Sequence, residues 1–102
     1  MRVTIGEVAT FPDPQADKAQ VMKVLEECAE VFSAWEDWQS LDMFDDSVFS
    51  RALEQRIIDE CADLIQATCN LLAGLGVEDM SRAMEACRKR NEERGRLCKS
   101  PS

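Results

Sequence analysis

The sequence predicts an all-α fold of three main helices that needs a second copy of itself to close a helical bundle. Three observations predict it. Ala, Leu, Glu, Arg and Met dominate the middle and end of the chain, with only four Gly, three Pro and no Tyr, a composition that favours helix. Apolar residues recur at three- and four-residue steps in three separate stretches, which is the helical period. Apolar residues make up 45% and charged residues 31% of 102 positions, the balance of a single folded domain with a modest core.

The elements follow in order. Residues 1–12 read as an N-terminal extension of mixed character, with 2–5 suited to a short extended piece. Asp13-Pro14 reads as a helix start, Asp13 capping the first free N–H groups and Pro14 fitting the first turn. The first helix is expected over 14–38, with Val21, Val24, Leu25, Cys28, Val31, Phe32 and Trp35 as one apolar stripe. The period is lost over 39–47, where Asp42, Asp45 and Asp46 crowd together; this reads as a loop with a helical turn around 41–44.

The second helix is expected over 48–73, capped by Ser47 and ended by Gly74 and Gly76. Its stripe is Leu53, Ile57, Cys61, Leu64, Thr68 and Leu71. The third is expected over 78–94, with Met80, Met84 and Cys87 on its inner face and Gly95 as its stop; 97–102 is a frayed tail. Three helices do not easily wall a four-helix core, so a homodimer or homotetramer is expected.

Composition also excludes partners. The net charge of -8 argues against a nucleic-acid polymer, which is bound through clustered Lys and Arg. No apolar run approaches the ~20 residues that span a membrane, and nothing at the N-terminus reads as a signal peptide. The five cysteines show no C-x-x-C spacing, and four of them fall within helical patterns. They read as small buried hydrophobes in a reducing compartment, so a cytoplasmic protein is expected. With no His, Cys/His zinc sites and Cys–His catalysis are unavailable.

The informative feature is a near-repeat. The first helix carries Glu26-Glu27-Cys28-Ala29-Glu30 and the second Asp59-Glu60-Cys61-Ala62-Asp63. Acids at i and i+3 share one side of a helix, so Glu27 with Glu30, and Glu60 with Asp63, each form a two-carboxylate clamp beside an apolar stripe. If the helices pack antiparallel, four carboxylates converge, and their repulsion and desolvation are relieved by cations. An all-oxygen donor set selects Mg²⁺ or Mn²⁺ over zinc. A ferritin-like di-iron site is disfavoured because it needs Glu-x-x-His. The plain alternative is a solvated surface, with Lys23 pairing ordinarily with Glu27 four residues on.

These two runs resemble the E-E-x-x-E … E-x-x-D signature of the all-α NTP pyrophosphohydrolases, the superfamily of MazG and the dimeric dUTPases. The resemblance covers roughly residues 20–96. The stretch between Glu30 and Glu60 is slightly longer than is usual there, and the acidic loop absorbs the excess. Arg90-Asn91-Glu92-Glu93-Arg94-Gly95-Arg96 is similar to the Asn- and Arg-bearing segment that follows E-x-x-D in MazG-like proteins.

The resemblance implies a MazG-like four-helix-bundle architecture. It implies a Mg²⁺-dependent enzyme that splits a nucleoside triphosphate into the monophosphate and pyrophosphate. Glu27, Glu30, Glu60 and Asp63 would hold the metal, with Glu27 also orienting or deprotonating the attacking water and Glu26 behind it. Asn91 and Arg94 would contact substrate, Arg96 and Lys89 less directly. Asn91 also lies in line with Met80, Met84 and Cys87, although an Asn at a helix end equally suits bonding to nearby backbone. Trp38 is a candidate floor for the base, and Trp35 is expected in the core. The rival from another class is a non-enzymatic acidic helical module, an interaction subunit or a decoy for a basic protein, supported by the charge of -8 and the acids of 36–46.

Overall fold

The computed structural model describes residues 1–41 and 48–99. It is all-helical, with three helices and no strand among the described residues: α1 (Lys18–Gln39), α2 (Val48–Gly74) and α3 (Ser81–Glu93). The acidic loop residues Asp42, Asp45 and Asp46, the Ser47 cap and the end of the tail lie outside the described residues.

Helix α1 begins four residues later than the Asp13-Pro14 signal suggested. A residue before proline is pushed out of the α region, and Asp13 sits instead at φ 55. Asp17 is the cap: its carboxylate accepts the Gln20 backbone N–H at 2.9 Å, a contact of about 1 kcal/mol in comparable caps. Helix α3 likewise starts at Ser81 rather than 78, where Asp79 accepts both the backbone N–H and the hydroxyl of Ser81. Gly76 and Gly95, at φ 79 and 73, turn the chain off α2 and α3. In each case the following N–H reaches back to the last helical turn, Val77 to Leu72 and Arg96 to Asn91.

Helices α1 and α2 form an antiparallel hairpin. Asp37 pairs with Arg56 at one end, and Gln20 donates to the Ala67 carbonyl at 2.9 Å near the other. The packed face of α1 is Gln20, Val24, Glu27, Val31, Ala34 and Trp38, with Ala34 fully buried. The single stripe read from the sequence merges two faces. Val24 and Val31 turn inward, whereas Val21, Leu25, Cys28, Phe32 and Trp35 remain exposed. Trp35, expected in the core, is 44% exposed and stacks obliquely on Phe32, centroids 5.8 Å apart.

Helix α3 packs against neither α1 nor α2. Its expected inner face therefore has no wall among the described helices: Met80 and Met84 are exposed, and Cys87 is half-buried. No cysteine is fully buried; all five are free, with Cys28 and Cys98 exposed. The radius of gyration, 16.9 Å, exceeds the ~13 Å of a compact chain this long. No helix among the described residues is long and apolar enough to cross a membrane.

The N-terminal extension has no regular secondary structure and runs along α2 as a strap. Gln66 donates to the Ala9 carbonyl at 2.9 Å, and the Phe11 N–H donates to Asn70 Oδ1 at 3.1 Å. Farther along, residues 15 and 16 cross α2 over Gly74, where a Cβ would stand 2.4 Å from the Ala16 nitrogen.

Candidate metal centre and adjoining cavity

The antiparallel pairing brings acids from both helices to one place. Carboxylate oxygens of Glu27, Glu60 and Asp63 all lie within 4.8 Å of one another. Glu27 belongs to the packed face of α1, and its side chain is only 13% exposed. Glu60 is half-buried and Asp63 exposed. Burial, and after it the charges of Asp63, Glu30 and Glu27, raises the Glu60 carboxyl above its ordinary range, with Arg56 opposing. The cluster is thus partly desolvated and short of positive charge, the condition under which a hard cation is favoured at oxygen donors.

Glu30 stands outside this triad. It is exposed, yet close enough for its charge to act on Glu60. Lys23 lies 3.2 Å from Glu27 and 3.6 Å from Glu26, so the ion pair weighed from the sequence forms alongside the triad rather than in place of it. Those two glutamates, hydrogen bonding from Glu27 foremost, raise the Lys23 ammonium above its ordinary range. Glu26 reaches the cluster through this lysine.

The remaining sequence candidates lie elsewhere in the chain. Trp38 is half-buried on the packed face of α1, about 16 Å along the helix from Glu27. Asn91 and Arg94 are on α3. The Asn91 amide donates to the Cys87 carbonyl at 3.1 Å and accepts from Arg96 at 3.3 Å, and Arg94 is exposed at the helix end. Arg88, on the same helix, pairs with Glu85 and Glu92.

One neighbourhood beside the triad carries no signal in the two acidic runs. A cavity of about 140 Å³ adjoins the triad, lined by Glu27, Asp63 and Lys23 on one side and by Phe11, Gln20, Gln66, Ala67 and Asn70 on the other. Asn70 is 5% exposed, the one buried polar residue described. Its partners are 59 positions away at Phe11 and four away at Gln66. The available signal was an Asn on the apolar side of a helix that otherwise carries Ala67 and Leu71 there.

Comparisons with family models, curated proteins and solved structures give no match to this chain.

Proposed function

We propose that the protein is a Mg²⁺-dependent nucleoside triphosphate pyrophosphohydrolase of the MazG-like kind, releasing pyrophosphate and a nucleoside monophosphate. The observation that carries the reading is the convergence of Glu27, Glu60 and Asp63, drawn from two helices, on one partly desolvated spot. The donor set fits the ion: oxygen ligands only, with no His in the chain and no cysteine in the cluster. Glu27, Glu60 and Asp63 would hold Mg²⁺ or Mn²⁺, with Glu30 joining by rotation from the next turn. Bound there, the ion would neutralise phosphate oxygens and acidify water.

The chain's own residues supply the positioning. Glu27, the least exposed of the α1 acids, orients the attacking water and takes its proton as the P–O bond to the pyrophosphate leaving group breaks. Glu26 tempers Glu27 through their shared Lys23.

A homodimer or homotetramer belongs to the same reading. The chain exposes 8514 Å², against about 5,800 Å² for a compact monomer of this length. The excess exceeds the ~800 Å² per partner of a standard interface, and Leu25, Phe32, Trp35 and Met84 are among the exposed apolar side chains. Helix α3 finds its wall on a second copy, and Asn91 and Arg94 reach the phosphates from there. A cytoplasmic setting accords with five free cysteines.

The test is pyrophosphate release from a panel of NTPs and dNTPs with Mg²⁺. Glu27→Gln and Asp63→Asn should each abolish release while helical circular dichroism is retained. Undiminished turnover by both variants would end the metal-clamp reading.

A further inference from the structure

We infer that the 140 Å³ cavity beside the triad is the seat of the nucleobase, read by the side-chain amides of Asn70 and Gln20; this rests on the triphosphate reading of the triad. The size comes first. The volume is that of about four or five waters at roughly 30 Å³ each, and it falls below the ~300 Å³ of pockets that enclose a whole drug-sized ligand. It admits one flat ring system, while sugar and phosphates extend past Glu27 and Asp63 at its rim.

Chemistry comes second. Asn and Gln amides are ordinarily ambiguous as to which end is oxygen, but here main-chain groups decide. The Phe11 N–H can only donate, so the Asn70 atom it meets at 3.1 Å is the oxygen. The Ala67 carbonyl can only accept, so the Gln20 atom 2.9 Å away is the nitrogen. The Ala9 carbonyl settles Gln66 in the same way.

Each amide is then left with one end unused among the described residues: the nitrogen of Asn70 and the oxygens of Gln20 and Gln66. Asn70 is 95% buried by the complement of its 5% exposure, yet no fully enclosed side-chain polar atom lacks a partner among the described residues. Its amide nitrogen therefore still meets open space, and the cavity is what the residue lines. A donor on an otherwise buried, oriented amide that opens only onto a cavity is placed to meet a ligand there. One donor on Asn70 and two unused acceptors on Gln20 and Gln66, all residues that line a ring-sized space, suit the hydrogen-bonding edge of a nucleobase.

Calorimetry on the full chain with Mg²⁺ tests this, using inorganic tripolyphosphate and non-hydrolysable analogues of the four dNTPs and of dUTP. Asn70→Asp keeps the oxygen that accepts from Phe11 but turns the donor into a charged acceptor; Gln20→Met adds no charge and is the variant on which tripolyphosphate affinity is read. Both should retain wild-type helical circular dichroism. Each should weaken the preferred analogue by about tenfold or more, and in Gln20→Met tripolyphosphate affinity should stay within about twofold.

Wild-type affinity for every analogue in both variants would overturn the assignment and leave the clamp standing. So would a parallel loss of tripolyphosphate and analogues in Gln20→Met. A wild-type chain that binds the analogues through Asn70 but ignores tripolyphosphate would support the cavity and remove the clamp. Binding of neither probe by wild type would overturn both.

Discussion

Lys23 Nζ and Glu27 Oε1 meet at 3.2 Å, one turn apart on α1, so the least exposed acid of that helix already has a cation of its own. If the acids hold a metal as proposed, a lysine beside them competes with it for the same negative charge. Lys23→Gln should lower the melting temperature in chelator and tighten Mg²⁺ binding by about two- to fivefold, the scale of an exposed ion pair. A titration followed by thermal melting reads both quantities. Weaker Mg²⁺ stabilisation in the variant would mean that the lysine supports the ion rather than rivals it. A decoy module without a site would show no joint stabilisation by Mg²⁺ and a nucleotide analogue.

Glu60 sets a pH dependence with a definite sign. Burial foremost, then Asp63, Glu30 and Glu27, raises its carboxyl above the ordinary 4.5. A raised acid takes up its proton more readily in the folded state. Its contribution is therefore fully present below the unfolded value and is lost as pH climbs through the folded one. Glu60→Gln imitates the protonated form. In chelator it should melt with wild type near about pH 4 and above wild type near about pH 7. With Mg²⁺ added at the higher pH, the order should reverse. Identical melting of the two proteins at both pH values would remove the desolvated-cluster description.

Gly74→Ala separates propensity from packing. Alanine is the better helix former by about 1 kcal/mol, yet its Cβ would stand 2.4 Å from Ala16 N and 2.5 Å from Gln15 C. Both are backbone atoms and cannot rotate aside. The expected result is a net loss of about 1–3 kcal/mol in denaturant unfolding, with weaker capping at Asp17 just beyond the crossing. A stabilised variant would show that the strap does not cross there.

The exposed stripe of α1 gives the assembly test. Leu25 and Phe32 are 56% and 58% exposed on the face opposite Glu27. Leu25→Asp with Phe32→Asp should convert a dimer or tetramer to monomer in sedimentation velocity and greatly reduce pyrophosphate release. A wild-type chain that sediments as a monomer at high concentration would count against the partner-supplied wall.

Three helices, their glycine stops and three of the four acids expected to meet across an antiparallel pair were legible because each rests on short-range pattern: periods of three and four, Gly76 and Gly95 after the last turn, acids spaced by three. What stayed hidden depends on pairing across the chain. Periodicity could not separate the inward Val24 and Val31 from the outward Leu25 and Phe32, since both sets repeat at helical steps. Glu30 and Glu27 look equivalent in the motif, and only the rotation of α1 against α2 leaves Glu30 outside the triad. Asn70 and Gln20 take their meaning from Phe11 and Ala67, 59 and 47 positions distant. Asp17 was overlooked because Asp13-Pro14 offers the louder start signal.

The strap grips Asn70 through the peptide nitrogen of residue 11, whatever side chain that residue carries. Most replacements at this position would change the cavity wall while leaving the amide pointed the same way. Proline is the exception, because it has no N–H to give. In Phe11→Pro the Asn70 oxygen would keep only the Gln66 amide as its donor, so the orientation of a buried amide would pass from the main chain to a single side chain four residues away.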